Sequence, residues 1–344
     1  MNEMTIDRSE ACVIRPARLG FLGVGWIGRN RMQTIVESGL GQVAAIADPS
    51  AECISQAASL APAAKIVNGL DALLAEDLDG IVIATPSAQH AEQSLAVLRA
   101  GMAVFCQKPL GRSAEEVSAV VAAARQADRL LGVDLSYRYT RGMQQIRELI
   151  SSGALGNVFA LDLTFHNAYG PDKPWFYDRT LSGGGCLIDL GIHLVDLALW
   201  ALSFPEVVNV NSTLLKDGRL LSSNANDVED FALATLTLET GAVVRIACSW
   251  RLQAGCDAAI SADIFGTKGG ASFRNRNGSF YDFDAHRFYG TKREVLTEPP
   301  DEWGGRAAVD WARKLSQNAT RFDPECENLG KVAKVLDRIY GYQT

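Results

Sequence analysis

None of the seven cysteines, at positions 12, 53, 106, 186, 248, 256 and 326, belongs to a CxxC pair. That excludes a zinc ribbon, and an odd number without paired spacing excludes a disulfide framework. The thiols instead fit a reducing cytoplasm, which is the expected location. Nowhere do 18 apolar residues run without a charge, so no segment reads as a spanning helix. The stretch from Met1 to Arg18 carries Glu3, Asp7 and Glu10 and lacks an apolar secretory core, so it reads as a ragged tail. Internal repeats, low-complexity tracts and Pro-rich linkers are absent. Positive charge is also in deficit. With 33 Lys and Arg against 40 Asp and Glu, the net charge of −7 repels phosphate backbones and anionic bilayers. Neither nucleic acid nor a membrane is an expected partner.

The sequence has 47% apolar and 21% charged residues, typical of a globular chain that buries a sizeable core. At roughly 150 residues per domain, 344 residues imply two domains. From 16 to 136, short apolar runs alternate with amphipathic ones. Strands are expected at Leu19–Leu22, Val43–Ala47, Gly80–Ala84, Ala103–Cys106 and Leu131–Leu135, and helices at Ile27–Ser38, Ala51–Ala58, Ala88–Arg99 and Ser113–Asp128. Ser113 with Glu116 makes a capping box. This alternation predicts an α/β unit, a doubly wound parallel sheet of the Rossmann dinucleotide-binding type. From 137 to 344 the texture changes to a helix at Gln144–Ser152, a strand at Asn157–His166, a buried helix at Leu187–Leu202, and then many strands. Glu229–Trp250 reads as a hairpin turning at 239–241, with further strands at Ala259–Phe265, Ala271–Arg274 and Ser279–Phe283. Val309–Tyr340 closes the chain helically. This second part is expected to be an α+β substrate-binding and oligomerisation domain with a large, mostly antiparallel open sheet. The open face of that sheet suggests a homodimer or homotetramer.

Three clusters could carry chemistry. Gly23-Val24-Gly25-Trp26-Ile27-Gly28 is a GxGxxG between a strand and a helix, where bare backbone and helix N-terminal amides can hold a pyrophosphate. Asp48, about twenty residues further on, is placed to accept hydrogen bonds from ribose hydroxyls. No Lys or Arg lies between Pro49 and Ala64, so NAD is favoured over NADP, although Arg29 and Arg31 on the first helix could reach that pocket. The surface-helix reading of these two arginines has the greater weight. Second, Asp189, His193 and Asp196 are the ionisable residues of the buried helix. At about 100° per residue they fall within about 60° of one another, so they share one stripe. Asp189 could fix the tautomer of His193 and leave its other nitrogen as a general base. Glycines 183 to 185 before it allow close approach to a backbone or a ligand. Third, Gln107-Lys108-Pro109 follows a parallel strand, where ligands of such sheets bind. His90 after Thr85-Pro86 reads as settling a helix N-terminus, and Cys106 and Cys186 as small packing residues.

In their order and spacing these segments resemble the Gfo/Idh/MocA family (glucose-fructose oxidoreductase, inositol dehydrogenase and rhizopine catabolism proteins). The resemblance rests on the GxGxxG, Ala84-Thr85-Pro86 with His90, Gln107-Lys108-Pro109, the Gly185 to Asp196 segment, and the glycine turn from Ile264 to Gly269. It implies an NAD-dependent oxidoreductase acting on a ring hydroxyl of a sugar or cyclitol. Lys108, Asp189 and His193 would be catalytic. Gly23, Gly25, Trp26, Ile27, Gly28, Asp48, Thr85, Pro86, His90, Gln107 and Lys108 would contact the dinucleotide. His166 and Trp175, in a polar and aromatic loop, would join Lys108, Asp189 and His193 around the substrate, and no metal is expected. Gln107 departs from the family's usual glutamate, which implies altered tuning of Lys108. A dinucleotide-binding sugar sensor or co-repressor, an NADP-dependent ketosugar or nucleotide-sugar reductase, and an NAD-assisted glycosidase remain alternatives.

Overall fold

The computed structural model describes residues 15–221 and 227–342. The first part builds six short parallel strands: β1 (Ala17–Leu22), β2 (Gly41–Ala47), β3 (Lys65–Ile66), β4 (Gly80–Ile83), β5 (Ala103–Cys106) and β6 (Leu131–Val133). Their order is β3-β2-β1-β4-β5-β6, reversing direction of growth between β1 and β4. The helices between them are α1 (Trp26–Ser38), α2 (Ala51–Leu60), α3 (Gly69–Leu74), α4 (Ser87–Arg99) and α5 (Ala114–Ala127). The central strands β4 and β5 are buried along their whole length, as helices on both faces require. Ser113 caps α5 through Glu116 N, but the Glu116 carboxylate turns to Arg112 N (2.7 Å) instead of closing the box. All six strands place their carboxyl ends on one edge, and the crevice of such a sheet opens there.

After α6 (Arg141–Ser151) comes a nine-stranded sheet: β7 (Val158–Asn167), β8 (Val207–Lys216), β9 (Arg219–Leu220), β10 (Phe231–Leu238), β11 (Val243–Ser249), β12 (Ala258–Gly266), β13 (Gly270–Asn275), β14 (Phe283–Tyr289) and β15 (Lys292–Thr297). Its order is β15-β14-β13-β12-β7-β11-β10-β8-β9, antiparallel except at β7 and β11. The β10–β11 hairpin turns at the expected residues, with Gly241 at positive φ. The strand expected over Ser279–Phe283 does not form before Phe283. Asn277 and Gly278 both take positive φ and make a turn, so the strand starts only at Phe283.

Two helical segments also depart from expectation. The stretch after Cys186 begins with a π-turn, Leu187–Gly191, before the short α7 (Arg179–Ser182) finds its successor in α8 (Ile192–Ala201). The helical stretch Arg179–Ala201 is long and apolar enough to span a bilayer, yet its most apolar window is almost wholly buried inside the protein. The C-terminal stretch is two helices, α9 (Arg306–Ser316) and α10 (Glu327–Ile339), interrupted around Pro324. Although α9 lies in the part assigned above to the second sheet, its Ala307, Ala308, Trp311, Ala312 and Leu315 pack with Leu19, Phe21 and Phe105 of the first.

Candidate active site

The glycine turn divides its labour by position. Gly23 has φ +85°, and a Cβ there would stand 2.6 Å from Ala84 O; a Cβ on Gly28 would stand 2.2 Å from Gly23 O. Gly25 has no atom within 4 Å of where its Cβ would be, so the backbone at the start of α1 is bare and open. Two glycines close the turn against its neighbours and one leaves room for a ligand, which fits a pyrophosphate at a helix N-terminus. Asp48 sits beside this turn, accepting from Val24 N (2.7 Å) and Ser50 N (2.8 Å). Pro86 is the extended residue that opens α4.

Between the two sheets lies a cleft of about 600 Å³, onto which Trp26, Ile27, Thr85, His90, Gln107, Lys108, Trp175, Asp189 and His193 all face. Lys108 Nζ donates to both the carboxylate (2.6 Å) and the backbone carbonyl (2.8 Å) of Asp189, and Trp250 Nε1 donates to the other carboxylate oxygen (3.1 Å). His193 is buried edge-on against Tyr137, ring centroids 5.0 Å apart, and its Nδ1 has no hydrogen-bond partner. Burial holds its pKa well below the ordinary imidazole range, and the positive charges of Lys108 and Arg31 push the same way.

Asp189 therefore does not fix the His193 tautomer, contrary to expectation. The π-turn widens the helix between them, and the carboxylate is drawn across to Lys108 and Trp250. Asp196 leaves the stripe too. It is buried in an ion pair with Arg138, which also lies over the Phe204 ring. Three further corrections follow from burial and strand parity. His90 lies 2.7 Å from the carbonyls of both Thr85 and Pro109, so it ties the β4 and β5 loops together and has no ring nitrogen left for a cofactor. His166 alternates with buried Leu161, Leu163 and Phe165 along β7, so it points to the opposite face, where it bonds Ser249 (2.8 Å) and stacks on Phe231. Arg31 is not a surface arginine but lies buried at the cleft wall against Asp134.

The glycines before the π-turn pack against protein. A Cβ on Gly185 would stand 1.9 Å from Glu229 O, and the buried Glu229 carboxylate accepts from Gly185 N, Leu187 N and Tyr340 Oη. Desolvation pushes the Glu229 pKa up, against those donors. Sequence reasoning missed Asp134, Ser136, Tyr137, Phe176, Tyr281, Glu302 and Trp303, all of which face the cleft. Asp134 and Ser136 carried a usable signal, since they directly follow the last parallel strand.

Two family profiles match this chain: an oxidoreductase family with an NAD-binding Rossmann fold over residues 17–135, and the Gfo/Idh/MocA C-terminal domain over 143–272. The chain belongs to the Gfo/Idh/MocA oxidoreductases. Among Gfo/Idh/MocA relatives, D-glucoside 3-dehydrogenase of Escherichia coli (strain K12) is 29% identical over 235 residues, 65% of this chain and 64% of that protein. The match thus spans less than two thirds of that relative's length. Inositol 2-dehydrogenase of Rhizobium meliloti (strain 1021) is 29% identical over 265 residues, 75% of this chain and 76% of that one. The structure of levoglucosan dehydrogenase in complex with NADH and levoglucosan superposes with a TM-score of 0.79 at 21% identity, covering 95% of this chain and 97% of that one. The fold is shared over almost the whole molecule.

Proposed function

We propose that the protein is an NAD-dependent dehydrogenase that interconverts a ring hydroxyl and a ketone of a sugar or cyclitol, with His193 as acid and base. The observation that carries this reading is the convergence of Lys108, Asp189 and His193 on the one cleft that Trp26 and Ile27 of the glycine turn also enter. NAD, when bound, supplies the hydride acceptor. An imidazole kept neutral by burial is suited to take the proton of the reacting hydroxyl and to return it in the reverse direction. Lys108, which spends two of its three N–H donors on Asp189, has one left to offer the substrate oxygen and favours charge developing there. Trp175, Phe176, Tyr281 and Trp303 supply aromatic surface for the apolar faces of a ring.

Charge within the cleft favours a neutral polyol over a phosphorylated or nucleotide-linked sugar. Its two cations, Lys108 and Arg31, are paired with Asp189 and Asp134, whereas Glu302 has no partner among the described residues. The names of the glucoside, inositol and levoglucosan relatives point to the same substrate class. NAD is preferred to NADP because Asp48, held beside the glycine turn, would repel a 2′-phosphate, and Lys65, the first cation after it, is paired with Glu76. Cyclitols, aldoses and glucosides supplied with NAD⁺ or NADP⁺ test the proposal through nicotinamide reduction. Net reduction with NAD⁺ on a neutral polyol is expected. Tight dinucleotide binding without turnover of any of them would favour a sensor instead.

A further inference from the structure

Asp134, at the end of β6, gathers three side chains onto one buried carboxylate. Its Oδ2 accepts from Arg31 Nε (2.5 Å) and Gln107 Nε2 (2.6 Å), and its Oδ1 from Ser136 Oγ (2.8 Å). The side chains of Arg31 and Asp134 are only 8% and 1% exposed, so water does not screen them. One guanidinium and one carboxylate balance, and only an uncharged donor fits the remaining place. Gln107 is that donor. The family's usual glutamate at 107 would set a second carboxylate at hydrogen-bond distance from Asp134, with a single guanidinium to serve both.

The three side chains come from α1, from the end of β5 and from the end of β6, so they lock together three elements of the sheet's carboxyl edge. Gln107 directly precedes Lys108, and Arg31 lies one turn beyond the glycine turn. We propose that Arg31, Asp134 and Gln107 form one positioning unit that sets Lys108 against the dinucleotide end of the cleft, with the carboxylate charge carried at 134 instead of 107. None of the three needs to touch substrate in this role. The kinetic part of the inference rests on the dehydrogenase reading above; the structural part does not.

A charge swap tests it, using the full chain as wild type, Q107E, D134N and Q107E/D134N. At neutral pH each single variant should lose about tenfold or more in kcat/KM, through a like-charge pair in one and an uncompensated Arg31 in the other. The double variant, with the carboxylate moved to 107, should recover to within about threefold of wild type, a non-additivity that independent structural damage does not produce. Q107E should also regain activity as pH falls, because two carboxylates can share one proton. Thermal midpoints of the dinucleotide-free proteins give a second readout. A pair whose folded pKa is raised is stable at low pH and loses that stability as pH rises through the raised value, so the Q107E deficit should widen with pH. A double variant no better than the worse single one would overturn the proposal, as would a Q107E midpoint that follows wild type at every pH. Were no substrate turned over by the wild type, the midpoint series would still decide the network while the dehydrogenase reading failed separately.

Discussion

His193 is an imidazole with a buried, unpartnered nitrogen in a wall of aromatic rings, next to a lysine that is already paired. As the proposed acid–base group, it would make a large and local contribution to rate. His193→Ala should lower kcat by about 10² to 10⁴ while leaving NADH affinity near wild type. Wild-type turnover by that variant would assign the proton transfer elsewhere. Its depressed pKa also has a sign that can be checked. Oxidation needs the neutral ring, so the acid limb of kcat/KM should lie well below pH 6.5, the ordinary imidazole value. An acid limb at or above that value would mean that the imidazole is not held neutral by its burial. The same depression makes the folded state reluctant to take a proton that the unfolded chain accepts below 6.5. Stability from this group is therefore present above that pH and is lost as pH falls towards the folded value.

At the scale of elements, the glycine turn separates binding from folding. Gly25→Ala puts a methyl group into open space, so the melting temperature should hold while NADH affinity falls about tenfold or more, about 1.4 kcal/mol. Gly28→Ala drives a methyl group against Gly23 O and should instead destabilise the fold by about 1–3 kcal/mol. Equal loss of NADH affinity and of stability in both variants would show that the turn does not divide its roles this way. The turn was readable in the sequence because its signal is local: a strand, three glycines at fixed spacing, and a helix. The placing of Lys108 in the cleft was readable for the same reason, as the Gln107-Lys108-Pro109 segment directly follows a parallel strand. The Asp189–His193 relation was not, because a regular helical period cannot reveal a π-turn. Nor was the Asp134 network, whose partners Arg31 and Gln107 are 103 and 27 positions away. His166 failed through strand parity, since a histidine in an aromatic loop and a histidine on the outer face of β7 look alike until the register is known.

At the scale of the molecule, α6, α8 and α10 cover one face of the second sheet, and among the described residues the other face is open. That open face carries the cross-strand ion pairs Arg245–Asp162 and Arg274–Asp263, with exposed Leu233, Val243 and Phe265 beside them. Apolar side chains interspersed with paired charges suit a self-complementary contact around a twofold axis. Light scattering should accordingly give the mass of a dimer or a multiple of it, and Val243→Glu with Phe265→Glu should shift that mass towards the monomer. A monomer at micromolar concentration in the unaltered protein would leave this face without its expected partner.

The return of α9 to the first sheet, where Trp311 packs 5.8 Å from the Phe105 ring, gives the chain a closed circuit. The nucleotide half begins near residue 17 but is not finished until the polypeptide has travelled through the entire other half and come back. Ribosomal synthesis must therefore reach Leu315 before that first half has all its apolar cover. Swapping in a foreign C-terminal half by a single crossover at 136 would strip away this cover as well, so exchange of substrate sheets between such proteins needs two junctions, one on either side of the borrowed sheet.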